Sequence, residues 1–269
     1  MSFLSITGFL SAQTFRSTTE IKTPNGWYVQ SSPDGFLVFS ITKPGYFDLI
    51  NPVSGAITTT KTTLVTTGIN FTVNLGKNNT NEVVKRDQTD ATKWNTVIST
   101  GLDATENKNF VYSAYGTVLK KTGLNKTNSD ITLPGNAIVV DSNDSLVLMG
   151  GPNNSRLASN FFIFNENTNE VEPIGIIPWI AGYKEVVEDV CIVNGEYYAC
   201  VTSNEPSGFQ GTKVFKYIEA KSEWIEIYFR ARTDMKNVAH DMAATVINGI
   251  TYLAISVNES TNAKTVILS

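Results

Sequence analysis

Strand-like stretches bounded by turn residues recur along the chain. Residues 27–40 contain two such stretches separated by a Pro-Asp-Gly turn, and residues 137–149 repeat this plan around an Asp/Ser/Asn turn. Short apolar or alternating runs between clusters of Asn, Asp, Gly, Ser and Pro are typical of β-strands joined by hairpins. The pattern therefore predicts an all-β chain.

An internal repeat indicates that the predicted strands recur at a regular spacing. Residues 188–205 align without a gap on residues 242–259, at a spacing of 54. The alignment superposes Asn194-Gly195 on Asn248-Gly249 and Tyr198 on Tyr252. Asn-Gly between two apolar runs favours a two-residue hairpin turn. Each copy is therefore predicted to begin with a hairpin of two strands.

A second hairpin follows each first one. In the clearest example, residues 213–217 and 224–228 flank a Glu-Ala-Lys-Ser turn, and residues 84–87 with 94–98 keep the same spacing. A shorter copy has residues 110–115 as a second strand, followed by a hairpin of residues 117–121 and 130–133. Four strands per unit, repeated at intervals of this size, are typical of propeller blades. Counting second strands gives six units.

The last unit is predicted to lack its outer strand. It has strands only at 241–247, 250–257 and 264–268, while residues 3–7 form a spare strand near the N-terminus. Pairing residues 3–7 beside 264–268 would close the ring and remove two unpaired strand edges. We therefore predict one domain over residues 1–269, a six-bladed β-propeller closed by its N-terminal strand. A β-sandwich assembly protein is the alternative fold, and the Asn-Gly repeat disfavours it.

Several motifs resemble the repeats of kelch-type propellers and of the related epitempin (EAR) propellers. The resembling segments are residues 214–217 followed by Trp224, residues 162–165 followed by Val171, the Gly150-Gly151 doublet, and Asn248 to Ala254. The resemblance lies mainly in the C-terminal half. It implies a propeller fold and a binding role.

The charge and composition of the chain limit the classes of binding partner that we expect. The chain has 21 Lys+Arg against 25 Asp+Glu, a net charge of −4, and its polarity comes largely from 32 Thr and 26 Asn. Nucleic acid and anionic membrane surfaces need clustered basic residues, so we expect neither as a general partner. No apolar run reaches the length of a membrane span, and the first residues lack the basic start of a signal peptide.

The two cysteines are predicted to be free. The Asn194-Gly195 turn sets a register in which Cys191 faces Tyr198 and Cys200 faces Asp189. The thiols then lie diagonally on one face of the hairpin, farther apart than a disulfide allows. Packing is the expected role of both side chains.

The loops at one face of a propeller are the predicted contact surface. The loops that lead into first strands and those between second and third strands emerge on the same face, and the latter are long in the last three units. Exposed aromatic and Arg side chains are typical of protein or glycan contact surfaces. These loops carry seven candidate binding residues: Trp179, Tyr183, Phe209, Arg230, Arg232, Lys236 and His240. The alternative is that the aromatic rings pack between blades and the basic side chains are merely solvated.

Catalytic signatures are weak. His240 is the only histidine and has no nucleophile motif beside it, so neither a hydrolase triad nor a zinc site is expected. Glu185, Glu188, Asp189 and Glu196 cluster in one unit, with Asp189 and Glu196 predicted on the cysteine face and Glu188 on the other. We interpret them as a solvated strand end and predict no metal and no cofactor.

The resulting hypothesis is a non-enzymatic recognition or scaffold module that binds a protein or glycan partner through its loop face. Such a module would suit a structural or attachment component of a larger assembly, such as a virion or an appendage. The alternative function is a propeller hydrolase or lyase that uses carboxylates lining the channel.

Overall fold

The computed structural model describes residues 18–23, 28–32, 35–39, 46–61, 73–74, 82–86, 94–99, 104–107, 110–123, 128–155, 158–179, 185–203, 211–231, 238–258 and 264–269. Within these ranges the chain forms 22 strands in six antiparallel sheets, with one 3₁₀ helix at Glu219–Lys221. None of the described helical residues belongs to a segment long and apolar enough to span a membrane.

The sheets follow one another along the chain. Sheet 1 contains β2 (Tyr28–Ser32), β3 (Gly35–Phe39), β4 (Tyr46–Ile50) and β5 (Ile57–Lys61). Sheet 2 contains β6 (Val73–Asn74), β7 (Glu82–Arg86) and β8 (Trp94–Ser99), and sheet 3 contains β9 (Ala104–Glu106), β10 (Phe110–Gly123) and β11 (Asn128–Ala137). Sheet 4 contains β12 (Val139–Ser142), β13 (Leu146–Pro152), β14 (Ala158–Asn165) and β15 (Glu170–Pro178). Sheet 5 contains β16 (Glu185–Val193), β17 (Glu196–Ser203), β18 (Gly211–Ile218) and β19 (Glu223–Ala231). Sheet 6 contains β20 (Val238–Ile247), β21 (Ile250–Asn258), β22 (Lys264–Leu268) and, beyond β22, the N-terminal strand β1 (Thr18–Lys22).

The repeated Asn-Gly turns have the predicted geometry. Asn194 and Gly195 have φ values of 56° and 75°, and Asn248 and Gly249 have 53° and 76°. Positive φ at both central residues matches the right-handed twist of the flanking strands. The register set by the first turn pairs Cys191 with Tyr198, as the sequence predicted.

Sheets 3, 4, 5, 6 and 1 pack one against the next, face to face, through four apolar clusters. Phe162 and Tyr112 join sheets 3 and 4, and Phe161 joins sheet 4 to sheet 5. Sheets 5 and 6 meet around Tyr198. A fourth cluster packs sheet 6 against sheet 1, where Phe36 is fully buried. The last sheet of the described chain therefore packs against the first.

The N-terminal strand completes the last sheet, but it is not the strand that the sequence predicted. β1 pairs antiparallel with β22 over five residues, from Thr18 opposite Leu268 to Lys22 opposite Lys264. Since β22 has β21 on one edge and β1 on the other, the strand beside residues 264–268 is Thr18–Lys22, and the predicted choice of segment is wrong. Residues 3–7 lie outside the described residues.

The contacts of β1 explain this choice of segment. Ile21 is buried and points toward sheet 1, and the hydroxyl groups of Thr23 and Thr265 lie 3.1 Å apart in a buried hydrogen bond. On the opposite side, Glu20 accepts a hydrogen bond from Arg230 Nε at 3.1 Å and lies 3.4 Å from Lys264 Nζ. The buried Ile21 and the hydrogen bonds of Glu20 and Thr23 thus hold β1 in place, although this strand has few apolar residues.

Sheet 3 also differs from its prediction. Residues 110–115 and 117–121, predicted as two strands, belong to the single strand β10. Only Gly116, with φ of 59°, lies between them, and one residue is too short for a hairpin loop. β10 therefore kinks and continues, pairing first with β9 and then with β11.

The β-sandwich alternative is wrong for the described residues. A sandwich consists of two packed sheets, whereas these residues form six small sheets, of which sheets 3, 4, 5, 6 and 1 pack one against the next.

Candidate functional site

The first strands of successive sheets lie side by side. β9 lies beside β12, β12 beside β16, β16 beside β20, and β20 beside β2. Each is an edge strand of its own sheet, so every second backbone N–H points away from its sheet and needs another partner. Buried N–H groups without a partner are costly, and the neighbouring first strand is the nearest source of acceptors.

Three aspartates provide these acceptors. Each accepts a hydrogen bond at 2.8 Å from a backbone N–H of the next first strand: Asp141 Oδ2 from Ile192, Asp189 Oδ2 from Met242, and Asp241 Oδ2 from Val29. β9 is joined to the same series, because the Thr105 hydroxyl lies 3.3 Å from Asp141 Oδ1. Side-chain contacts thus connect five first strands, and Asp241 makes the link from the last sheet to the first.

The second oxygen of each carboxyl is also engaged. Oδ1 of each aspartate accepts from the following backbone N–H: Asp141 from Ser142 at 2.8 Å, Asp189 from Val190 at 2.7 Å, and Asp241 from Met242 at 3.1 Å. Both oxygens of all three carboxyls are therefore used by backbone donors. We refer to Asp141, Asp189 and Asp241 as the aspartate series.

Sequence reasoning missed this series. Asp141 was attributed to a turn, and the 54-residue repeat aligns Asp189 with Ala243 and not with Asp241. In each strand the aspartate directly follows a shift of the pairing register, between Val187 and Asp189 in sheet 5 and between Ala239 and Asp241 in sheet 6. The offset arises because this shift lies two residues farther from the Asn-Gly turn in sheet 6. An aspartate in each of three first strands, β12, β16 and β20, was the available signal.

The surroundings of the series disfavour negative charge. Burial raises the pKa of Asp141 to about 6, although hydrogen bonds from Ile192, Ser142 and Thr105 act in the opposite direction. Burial also raises the pKa of Asp189 well above its usual value, and the charge and hydrogen bonding of Asp241 raise it further. The loss of hydration therefore outweighs the backbone donors.

Glu188 corrects a second prediction. It was predicted to point away from the cysteine face, but the register shift makes it a bulge residue on that face. Its Oε1 accepts a hydrogen bond from Thr202 at 2.5 Å, and Thr202 lies two residues beyond Cys200 on β17. Burial raises the pKa of Glu188 to about 7.

The predicted solvated strand end is therefore wrong. Glu185 and Asp189 are buried. Glu196 is partly buried and forms an ion pair of 2.5 Å with Lys216, and it accepts a hydrogen bond from Tyr198. These carboxylates lie along both faces of one hairpin between packed sheets, which the sequence spacing did not reveal.

The free-cysteine prediction is confirmed. Cys191 and Cys200 are buried and unbridged. The Cys191 thiol lies 3.2 Å from the Met242 carbonyl oxygen, to which it donates. Burial raises the pKa of both thiols well above the usual value, so they lack thiolate character.

At one end of sheets 4 to 6 the second strands end and the third strands begin: β17 ends at Ser203, β14 begins at Ala158 and β18 begins at Gly211. We refer to this end as the loop end. Trp179 follows β15 at this end, is partly buried, and donates its indole N–H to Ser159 Oγ at 2.9 Å. Ser203 is buried, and among the described residues its hydroxyl oxygen has no hydrogen-bond partner.

The other predicted binding residues are distributed unevenly. Arg230 lies at the loop end opposite Thr212, with its guanidinium paired to Glu20 of β1. His240 lies close to the start of β20 at Val238. The remaining four, Tyr183, Phe209, Arg232 and Lys236, lie outside the described residues. Their binding role stays a prediction.

The described side chains form no metal centre. In the part of the chain that the structure describes, no group of three or more His, Cys, Asp or Glu side chains is arranged to hold a metal ion.

Comparison with known proteins identifies no family. No protein-family model matches the sequence, and no curated protein is detectably similar to it. A structure of streptogramin B lyase has a TM-score of 0.46 and 11% identity, covering 96% of this chain and 100% of the lyase. A structure of hydrazine synthase from Kuenenia stuttgartiensis has a TM-score of 0.45 and 9% identity, covering 89% of this chain and 58% of that one. Similarities at this level assign neither activity nor substrate.

Proposed function

We propose that the chain is a six-bladed β-propeller, closed by its N-terminal strand, that acts as a non-enzymatic recognition or scaffold module. Its partner is a protein or a glycan bound at the loop end. Such a module would serve as a structural or attachment component of a larger assembly, such as a virion or an appendage.

The hydrogen bonds of the aspartate series are the main support for this proposal. In a propeller the first strands line the central channel, where an enzyme would place its carboxylates. A general acid or base must reach substrate, and a metal ligand must offer a lone pair to the ion. Here Oδ2 of each aspartate accepts a backbone N–H of the next sheet and Oδ1 accepts the following N–H of its own strand, so both oxygens are engaged by the backbone.

The loop end supports a binding role. Trp179 is anchored at its nitrogen by Ser159, which fixes the orientation of a large and partly exposed ring. A preoriented indole loses little conformational entropy on binding, and Trp is enriched among residues that dominate interface energies.

A direct binding assay tests the proposal. The purified chain is probed on a glycan array and by affinity capture, and each ligand found is titrated against Trp179→Ala. We expect at least about a tenfold loss of affinity, as for a central aromatic contact. Tyr115→Ala is the matched control, because Tyr115 is an aromatic side chain that is 70% exposed on sheet 3. Binding that survives Trp179→Ala but is lost in Tyr115→Ala would place the site elsewhere.

The hydrolase or lyase remains the second candidate, and one observation favours it. A carboxyl group with a pKa of about 6, such as that of Asp141, has the acidity of a general acid at neutral pH. Turnover of an array glycan or a polysaccharide that disappears in Asp141→Asn, with unchanged thermal stability, would support the enzyme and contradict the recognition module.

A further inference from the structure

Four aromatic rings form a continuous row at the end of sheet 5 that carries the Asn194-Gly195 turn. The ring centroids lie 6.1 Å apart for Tyr197 and Tyr217, 5.4 Å apart for Tyr217 and Trp224, and 4.3 Å apart for Trp224 and Phe161. The row crosses the neighbouring strands β17, β18 and β19 and reaches Phe161 on sheet 4. It thus leads from a fully buried ring to the partly exposed ring of Tyr197.

Tyr197 and Tyr217 lie side by side on neighbouring strands. β17 and β18 pair from Tyr198 opposite Lys216, and the two tyrosines are the next residues of these strands. Their rings are inclined to each other by 29°, and both are partly exposed. Within the described part of the chain neither hydroxyl has a hydrogen-bond partner, so each phenol proton can pass to water.

Trp224 differs from the tyrosines in what can happen to its proton. Its indole N–H donates to the Ile174 carbonyl oxygen at 3.0 Å, and a backbone carbonyl accepts hydrogen bonds but is too weak a base to take the proton. An electron removed from the indole is therefore replaced from the adjacent Tyr217, whose phenol can lose its proton. Burial and the charge of Glu219 raise the pKa of Tyr197, so this hydroxyl is protonated at neutral pH and loses its proton on oxidation.

We propose that Tyr197 and Tyr217 are an oxidative modification site, at which a one-electron oxidant such as a haem peroxidase joins the two rings as dityrosine. Each phenol loses one electron to the oxidant and one proton to water. The two tyrosyl radicals then form a carbon–carbon bond between ring positions next to the hydroxyls, and the hydrogen atom of each joined carbon is transferred to its oxygen. The ring pair thus loses two electrons and two protons, which convert one hydrogen peroxide into two water molecules.

The cross-link would join the second and third strands of sheet 5. Bonded rings lie closer together than the present 6.1 Å, and rotation of two partly exposed side chains brings them to that separation. A covalent link between strands reduces the freedom of the unfolded chain, so the modified protein should unfold at a higher urea concentration. The site is independent of the proposed binding role, because it lies at the opposite end of sheet 5 from the loop end.

Photo-oxidation of the dilute native protein tests the site. Excited tris(bipyridyl)ruthenium is a small one-electron oxidant that needs no protein–protein contact, and persulfate takes up the electrons as it is reduced to sulfate. We expect dityrosine fluorescence from monomeric protein, and peptide mapping should find the Tyr197 peptide joined to the Tyr217 peptide. The same treatment in urea should lose most of this product, because the two strands then separate.

Phenylalanine variants provide the controls. Tyr197→Phe and Tyr217→Phe each remove one phenol while keeping the ring, and each should abolish the cross-link. Tyr228→Phe is the matched control and should retain the full yield, because Tyr228 is a partly buried tyrosine of the same sheet that packs toward sheet 6.

Mapping of the unmodified protein decides the question even if a variant does not fold. Monomeric protein without dityrosine, a product mapped to other tyrosines, or a yield in urea equal to that of the native protein would overturn the proposal.

Discussion

Truncation of Ile21 measures the contribution of β1 to the fold. Ile21 is 7% exposed and is the one side chain of β1 in the apolar cluster between sheets 6 and 1. Ile21→Ala removes three carbon atoms and leaves a cavity against residues such as Val29 and Ile267. Substitutions of this kind cost about 2–5 kcal/mol, and we expect about 3 kcal/mol for this buried site at a sheet edge.

The assay is urea unfolding followed by circular dichroism. We expect a lower midpoint with an unchanged m-value, since the unfolded state exposes the same surface. Lys22→Ala is the matched control on the same strand, because Lys22 is exposed, and its effect should stay within about 0.5 kcal/mol. If Ile21→Ala and Lys22→Ala unfold at the same midpoint, then β1 does not dock as described and the reasoning fails.

Three further predictions test the packing between sheets. Trp224→Phe should cost about 1–2 kcal/mol, because it removes the 3.0 Å hydrogen bond from the indole to the Ile174 carbonyl, and urea unfolding measures this. Gly151→Ala should cost about 1–3 kcal/mol in the same assay, since a Cβ there would lie 2.7 Å from a backbone oxygen. Cys191 and Cys200 should not react with Ellman's reagent at pH 8 until urea unfolds the protein, and rapid reaction of the native state would contradict their burial.

The sequence predicted strands and turns well where local rules decide them. The Asn-Gly turn fixed the register of the hairpin around Cys191, because a two-residue loop allows one pairing. The same register correctly separated the thiols. In contrast, residues 110–121 were wrongly divided into two strands at Gly116, because glycine is typical of turns. They form one strand, since a single residue is too short for a hairpin loop.

Features that depend on contacts between sheets were not predictable. Ile21 positions β1 through a cluster that no local pattern reveals, so the more apolar residues 3–7 were chosen in its place. The bulge at Glu188 reverses the side to which its carboxylate points, and an extra residue in a strand leaves no mark on alternation over so short a stretch. The aspartate series has the same cause, since each carboxyl is placed by a backbone donor of another sheet.

The loop end illustrates a further limit. Trp179 was singled out as an exposed aromatic side chain, and the hydrogen bond to Ser159 shows how its ring is held. Arg230 was selected for the same surface, yet its guanidinium pairs with Glu20 of β1. An arginine in a loop-proximal position has the same sequence signature whether it meets a partner or the chain's own terminal strand.

Disulfide trapping tests the proposed closure of the ring by the N-terminal strand most directly. Lys22 and Lys264 lie opposite each other on β1 and β22, at a separation typical of paired strands and compatible with a disulfide. Mild oxidation of Lys22→Cys/Lys264→Cys should give an intramolecular disulfide whose yield does not depend on protein concentration, and peptide mapping should locate it. A control pair, Lys22→Cys/Lys121→Cys, places the second thiol on sheet 3 and should form no such bond. If the first pair yields only intermolecular disulfides or none, the N-terminal strand does not close the last sheet.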